Sequence, residues 1–187
     1  MEKEKKKVLV ILAEGFEETE ALVPIDLLRR AGSHVCISSL SDKVVTGSHG
    51  IRIESDTKLS EVLDDSFHAL VLPGGMNGAE NLSKSEEVKK IIFNMNNENK
   101  FICAICASPA VVLAPLGILD GKRAVCYPGM EVKDRDITFG TDNVCKYDNI
   151  ITSRGMGTSM EFGLKIVESL YGNAISEELA KKVCYNY

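Results

Sequence analysis

The stretch Lys100-Phe101-Ile102-Cys103-Ala104-Ile105-Cys106-Ala107-Ser108-Pro109-Ala110 decides the fold. Residues 101–105 form an unbroken apolar run, as in a strand covered on both faces; a strand with one face in water would alternate. Small residues and a proline follow at once, so the spacing predicts a sharp turn into a helix over Ala107–Leu116. A strand feeding a helix through a tight turn is the repeating unit of a parallel sheet. The side chain at such a turn is lifted above the carboxyl edge of the sheet, where open α/β folds bind ligands. Here that side chain is Cys106.

The same alternation extends in both directions. Short apolar runs predict strands at Val8–Ala13, Val35–Ser39, Ala69–Leu72, Phe101–Ile105, Ala124–Cys126 and Ile150–Ser153. Amphipathic stretches predict helices at Glu18–Ala31, closed by Gly32, and at Glu86–Glu98, Met160–Tyr171 and Glu177–Val183. Ser83-x-x-Glu86 and Thr158-x-x-Glu161 read as capping boxes, and Pro24 argues that the first helix starts late or kinks. Val44–Val45 and Ile51–Ile53 flank Thr46-Gly47-Ser48-His49-Gly50, which fits a small β-hairpin. Without repeats or an interdomain linker, residues 1–187 are expected to form one α/β domain, a mostly parallel sheet flanked by helices on both faces.

Composition narrows the function. The chain has 187 residues, 44% of them hydrophobic, enough to bury a core without disulfides or a structural metal. A net charge of −5 has the wrong sign for a partner recognised through its phosphates, so neither nucleic acid nor an anionic membrane is expected. The basic run Lys3-Glu4-Lys5-Lys6-Lys7 reads as a solvated end. The apolar run after it stops at Glu14, too short for a secretory signal, and no segment suits a transmembrane helix; a cytoplasmic address is expected. Six cysteines in that compartment read as reduced thiols. The only CxxC, Cys103-x-x-Cys106, has no histidine after it, so no metal is expected. Within a strand, three residues separate its Cα atoms by about 10 Å, beyond disulfide reach, which makes Cys103 a core residue.

Chemistry collects at three turns. At a helix start, free N–H groups favour the Cys106 thiolate, a candidate nucleophile. Among Glu17, Glu18 and Glu20, the first two are accounted for by the helix dipole, whereas Glu20 beside a buried sulfur would have a raised pKa and serve as an acid/base partner. Gly74 and Gly75, after an apolar strand and Pro73, expose N–H groups that with that of Ala107 could form an oxyanion site. Of His34, His49 and His68, only His49, in the hairpin turn, is an accessory candidate. No GxGxxG or GxxxxGK[ST] nucleotide motif is present.

These residues stand in stretches that resemble the ThiJ/PfpI superfamily, in its DJ-one branch: Leu9-Val10-Ile11-Leu12-Ala13-Glu14-Gly15-Phe16-Glu17-Glu18-Thr19-Glu20, Arg29-Arg30-Ala31-Gly32, Leu72-Pro73-Gly74-Gly75, Ala104-Ile105-Cys106-Ala107 and Thr152-Ser153-Arg154-Gly155-x-Gly157-Thr158-Ser159-x-Glu161-Phe162. The resemblance implies a flavodoxin-like three-layer sandwich and a homodimer. It also implies Cys106 as the reactive cysteine, Glu20 as its partner, and Gly74, Gly75 and Ala107 as backbone donors. Many relatives have a histidine before a proline where this chain has Tyr127-Pro128, so catalysis would lean on Glu20, with Tyr127 as an accessory candidate. The expected function is a cofactor-free enzyme acting on small reactive carbonyls such as methylglyoxal, or on their adducts. The alternatives are a redox sensor working through Cys106 sulfinate, and a thiazole-phosphate step for which the sequence shows no phosphate-binding loop.

Overall fold

The computed structural model describes residues 5–186; Lys3, Glu4 and Tyr187 lie outside the described residues. Its core is a seven-stranded sheet. In chain order the strands of the molecule are β1 (Lys7–Leu12), β2 (His34–Ser39), β3 (Val44–Thr46), β4 (Arg52–Glu54), β5 (Thr57–Lys58), β6 (Ala69–Leu72), β7 (Phe101–Ile105), β8 (Lys122–Ala124), β9 (Ile137–Phe139), β10 (Val144–Tyr147) and β11 (Ile150–Ser153). The sheet runs β10-β11-β7-β6-β1-β2-β5, with every pair parallel except β10 with β11. The helices are α1 (Glu18–Arg30), α2 (Met76–Lys84), α3 (Glu86–Asn97), α4 (Ser159–Tyr171) and α5 (Asn173–Lys182).

The two-residue period of β1 builds both faces of the sheet at once. Val8, Val10 and Leu12 pack with Ala21, Ile25 and Leu28 of α1 and with Phe162 and Ile166 of α4. Leu9 and Ile11 point the other way, toward Ala79 and Leu82 of α2 and Val88 and Ile92 of α3. The result is the expected flavodoxin-like three-layer sandwich. All five β1 side chains are fully buried, each worth roughly 1.5–3 kcal/mol relative to exposure.

Several local expectations are corrected. The predicted strand Ala124–Cys126 is Lys122–Ala124 and lies outside the main sheet, paired with β9 in a separate two-stranded parallel sheet. Its continuation is diverted because the Val125 N–H donates to Thr152 Oγ1 (2.9 Å) and the Tyr127 N–H to the Cys106 carbonyl (2.8 Å). The helix expected over Ala107–Leu116 is a π-helical turn at Pro109–Leu113, with the Ala114 N–H on the Pro109 carbonyl. Helix α2 went unpredicted because Gly74-Gly75-Met76-Asn77-Gly78 reads as loop. Since α2 runs through Lys84, Ser83 is interior to it and Ser85 caps α3 instead, accepting the Val88 N–H at 3.3 Å. Thr158 makes no side-chain cap on α4; its hydroxyl bonds to Ser153 Oγ and the Gly155 carbonyl. The last helix starts earlier than expected, at Asn173, directly after Gly172 at φ +92°.

Helix α1 begins at Glu18 without delay and carries Pro24 inside. Helix α4 packs closely against α1 at Pro24: a Cβ on Gly163 would stand 2.6 Å from Leu27 Cδ1 and 3.2 Å from Pro24 Cα. The backbone neighbour cannot rotate away, so Gly163→Val overfills the α1–α4 contact. Its expected cost is about 2 kcal/mol, read as a lower denaturation midpoint at unchanged m-value.

The hairpin β3–β4 is antiparallel, as expected, and is fastened to the β1–α1 loop. Gly15 N–H donates to the Thr46 carbonyl and Ser48 N–H to the Phe16 carbonyl, both at 2.8 Å. Glu18, only 4% exposed, accepts the N–H groups of His49 (2.7 Å) and Ile51 (3.3 Å) and the Ser48 hydroxyl (3.3 Å). Burial alone would raise its pKa, but the hydrogen bonds from the His49 ring and backbone and from Ile51 win and hold it down at about 2. A carboxylate with a lowered folded pKa stabilises above its ordinary value of 4.5, and that stability is lost as pH falls toward about 2. Glu18→Ala should destabilise the protein by about 1–3 kcal/mol at neutral pH, and amide exchange of residues 46–51 should accelerate.

Candidate active site

Cys106 sits directly after β7 with φ +64°, a left-handed conformation that costs a non-glycine residue on the order of 1–2 kcal/mol. Two backbone bonds hold it there: its N–H donates to the Ser153 carbonyl (2.9 Å) and its carbonyl accepts the Tyr127 N–H (2.8 Å). The turn leaves the sulfur half-buried at the carboxyl edge of the sheet, within reach of the N–H groups of Gly75 and Ala107. Cys103, one turn of pleat earlier, is fully buried inside β7.

Glu20, on the first turn of α1, is 1% exposed and shares a hydrogen bond with the Cys106 thiol. Its Oε2 accepts the Gly74 N–H at 2.9 Å, so Gly74 serves the carboxyl group while Gly75 and Ala107 face the sulfur. Its Oε1 is buried with no hydrogen-bond partner among the described residues. Glycine at position 74 is a steric requirement, because a Cβ there would stand 2.5 Å from both Cys106 Cβ and Glu20 Oε2. Gly75, at φ +79°, is equally confined: its Cβ would meet the Gly15 carbonyl oxygen at 2.3 Å. The β6–α2 turn thus closes directly onto the β1–α1 loop and brings Glu20 to Cys106.

Burial raises the Glu20 carboxyl to about 7, with the charge of Glu17 adding to the effect and the Cys106 and Gly74 hydrogen bonds opposing it. Burial likewise pushes the Cys106 thiol up to about 12, with the Glu20 charge beside it adding and the Gly75 and Ala107 N–H groups opposing. The expected lowering by a helix terminus is therefore not what the structure shows: a five-residue π turn follows Cys106, and a carboxylate shares its pocket. Neither group ionises freely, so the pair holds a proton between them near neutrality.

His49 is placed elsewhere. Its Nδ1 lies 3.1 Å from Glu18 Oε2, and Glu18 and Glu20, two positions apart on α1, face opposite sides of the helix. Glu18 is thus more than the dipole residue expected, and Glu17 is the N-cap, accepting the Glu20 N–H at 2.7 Å. Among the described residues, Glu17, Glu18 and His49 form the one group able to offer three metal ligands, with ligand atoms within 4.8 Å of one another. A cation there would have to displace donors already on Glu18.

The Tyr127 ring and Glu20 Oε1 both lie beside Gly155. A Cβ on Gly155 would lie 3.4 Å from Tyr127 Cδ2 and 3.9 Å from Glu20 Oε1, so the phenol ring and Gly155 wall the side on which that oxygen is unpaired. Beyond them a groove of about 300 Å³ runs between Tyr127-Pro128 and the turn from Arg154 to Thr158. In the sequence that turn stands out as one of the stretches that carry the family resemblance, with no residue there marked as bordering the Glu20 pocket.

An isolated buried carboxyl group with a raised pKa destabilises the fold as it ionises. Between pH 4.5, where the unfolded carboxyl loses its proton, and about 7, where the folded one does, stability falls by roughly 3 kcal/mol. Glu20→Gln should remove this slope, making the variant more stable than wild type in urea at pH 8 and indistinguishable or weaker at pH 4.

Comparison with known proteins agrees with this geometry. A family model described as the DJ-1/PfpI family matches residues 6–169. Protein dj-1beta of Drosophila melanogaster is 40% identical over 185 residues, covering 97% of this chain and 98% of that protein. The glutathione-independent glyoxalase DJR-1.2 of Caenorhabditis elegans is 35% identical over 188 residues, 98% of each. Protein DJ-1 homolog B of Arabidopsis thaliana is 38% identical over 177 residues, 94% of this chain but 40% of that protein, so the chain spans less than half of that relative. The solved structure of oxidized Toxoplasma gondii DJ-1 superposes with a TM-score of 0.92 at 38% identity, over 97% of this chain and 100% of that one. Alike in fold and in sequence over nearly its whole length, the chain belongs to the DJ-1/PfpI family.

Proposed function

We propose that this protein is a cofactor-free enzyme that converts small 2-oxoaldehydes, with methylglyoxal as the simplest, into 2-hydroxy acids through Cys106 and Glu20. The observation that carries the reading is the buried Glu20 carboxyl, hydrogen-bonded to the Cys106 thiol and raised to about 7, with one oxygen unpaired. A carboxyl group so tuned exchanges protons at neutral pH, where an ordinary one is fully ionised. The name of the C. elegans relative, a glutathione-independent glyoxalase, supports the same class.

In the proposed sequence the Glu20 carboxylate takes the thiol proton as sulfur adds to the aldehyde carbon and delivers it to the resulting alkoxide oxygen, giving a neutral hemithioacetal and restoring the carboxylate. The N–H groups of Gly75 and Ala107, already beside the sulfur, are the nearest donors for the oxygen that gains charge. Glu20 then moves the proton from the former aldehyde carbon to its neighbour, while the hydroxyl proton passes from the first oxygen to the second through an enediol, which leaves a 2-hydroxy thioester. Water hydrolyses the thioester and frees the thiol. The aldehyde carbon is oxidised and the ketone carbon reduced within one molecule, so the net change is addition of one water. Neither glutathione nor a metal takes part, and we place the enzyme in the cytoplasm as a homodimer.

Metal-free, glutathione-free protein should form lactate from methylglyoxal, with kcat reduced at least about 10³-fold in both Cys106→Ser and Glu20→Gln. Because the carboxylate is the working form, kcat/KM should rise with pH through about 7. Lactate formation retained in both variants would remove the site from the reaction.

A second reading has one observation in its favour: Cys103, Cys126 and Cys145 are buried, and of the two half-buried thiols, Cys36 and Cys106, it is Cys106 that has the N–H groups of Gly75 and Ala107 beside it. In a redox sensor, mild peroxide would oxidise Cys106 to sulfinate, and a protonated Glu20 would hydrogen-bond the product. Mass spectrometry after peroxide treatment separates the two readings, since a sensor without lactate formation would oxidise at Cys106 ahead of the exposed Cys184.

A further inference from the structure

The groove beside Tyr127 is unused by the chemistry above, which involves only the two carbonyl carbons of the substrate. Its placement relative to the reacting groups is fixed by backbone bonds. The Tyr127 N–H donates to the Cys106 carbonyl at 2.8 Å, and the Tyr127 carbonyl in turn accepts the Met130 N–H at 3.0 Å. On the other wall, Ser153 Oγ and Thr158 Oγ1 are 2.6 Å apart, and Thr158 Oγ1 bonds both the carbonyl (2.8 Å) and the N–H (3.2 Å) of Gly155. Both walls are therefore preformed. The groove comes closest to the reacting groups at Gly155, where a Cβ would lie 3.4 Å from the ring of Tyr127 and 3.9 Å from the unpaired Glu20 Oε1.

Its exposed surface is mostly apolar, although Arg154, whose guanidinium donates to the Thr141 carbonyl, and Thr158 also line it. Tyr127 is 51% exposed and Met156 is 56% exposed, two of the largest apolar side chains left in water, and Pro128 completes the Tyr127 side. Phenol, pyrrolidine and thioether surfaces suit a flat ring better than a polar group. Offset aromatic pairs and sulfur–aromatic contacts each add to the area term. The groove, about 300 Å³ and open to solvent, is large enough for a phenyl ring to lie against its wall. A methyl substituent would leave most of both side chains in contact with water.

We propose that the Tyr127–Met156 groove is the subsite for the substituent carried by the oxoaldehyde, and that it selects an aromatic ring over a methyl group. The proposal rests on the carbonyl-enzyme reading and deepens it: the preferred substrates are aryl-substituted 2-oxoaldehydes, and Tyr127 is a specificity-determining residue.

The test compares kcat/KM for phenylglyoxal and methylglyoxal in wild type, Tyr127→Ala, Tyr127→Phe and Met156→Ala. Wild type should favour phenylglyoxal by about tenfold or more. The ratio should fall to within about twofold in Tyr127→Ala, fall partway in Met156→Ala, and persist in Tyr127→Phe, which keeps the ring face. Equal specificity in wild type, or a preference untouched by both alanine variants, overturns the proposal. A second measurement is independent of turnover: binding of mandelate and of lactate, the two 2-hydroxy acid products, to Cys106→Ser by calorimetry. Tighter mandelate binding that is lost on adding Tyr127→Ala supports the subsite even if neither aldehyde is converted, a result that would sink only the carbonyl-enzyme reading. If the aldehydes are converted without discrimination and the alanine variants instead shift the sedimentation coefficient, the groove is a contact between two copies of the chain and the substrate proposal fails.

Discussion

Glu20 is held against the half-buried Cys106 in a space where the carboxyl group is cut off from water, and much of the surrounding architecture is arranged to permit that contact. Gly74 has no side chain because a Cβ would displace the sulfur and the carboxyl oxygen together. Gly75 adopts a positive φ and lies against the Gly15 carbonyl, and a Cβ on Gly78 would stand 2.8 Å from Phe16 Cα. The β6–α2 turn and the β1–α1 loop are thereby locked into one surface. The sheet supplies the rigidity that makes the arrangement affordable. With β7 paired to both β6 and β11, Cys106 can be kept in a left-handed conformation by bonds to neighbouring backbone rather than by its own preference.

Two glutamates on the first turn of α1 show how far environment outweighs residue type. Glu18 is buried among donors and is acidic; Glu20 is buried with one backbone donor and a thiol, and its pKa moves the other way. Successive helical positions two apart face opposite sides, so a single turn presents one carboxylate to the hairpin and the other to the cysteine. The first group strengthens the fold near neutral pH and the second weakens it. An unfavourable burial retained beside a nucleophile is the pattern expected of a site that uses the group.

The same division runs through what could be read in advance. The parallel sheet, the hairpin and helices α1, α3 and α4 follow from periodicity, since apolar runs act over a few neighbours. Cys106, Glu20, Gly74, Gly75 and Ala107 could be picked out because each stands in a turn at one edge of such a sheet, and a parallel sheet brings those turns together. Helix α2 was hidden because its first residues are those of a loop, and its helical state depends on docking against Phe16 rather than on propensity. The strand near Ala124 was misplaced because Thr152 and Cys106, distant in sequence, take the N–H groups that would have continued it.

By itself, then, the sequence determined the layer architecture and marked out the sulfur and carboxyl groups that the structure brings together, both of which depend on local periodicity and on residue type. Tertiary structure alone decided the protonation behaviour of those groups. The charge on Cys106 is opposed by a carboxyl group 86 positions away in the chain and by the burial of both, and neither influence has any signature in the residues adjacent to the cysteine. It also decided that Glu18 would hold the hairpin, that His49 would face Glu18 rather than the cysteine, and that Tyr127 would border the pocket. These are long-range contacts made by packing, and residue spacing does not encode them.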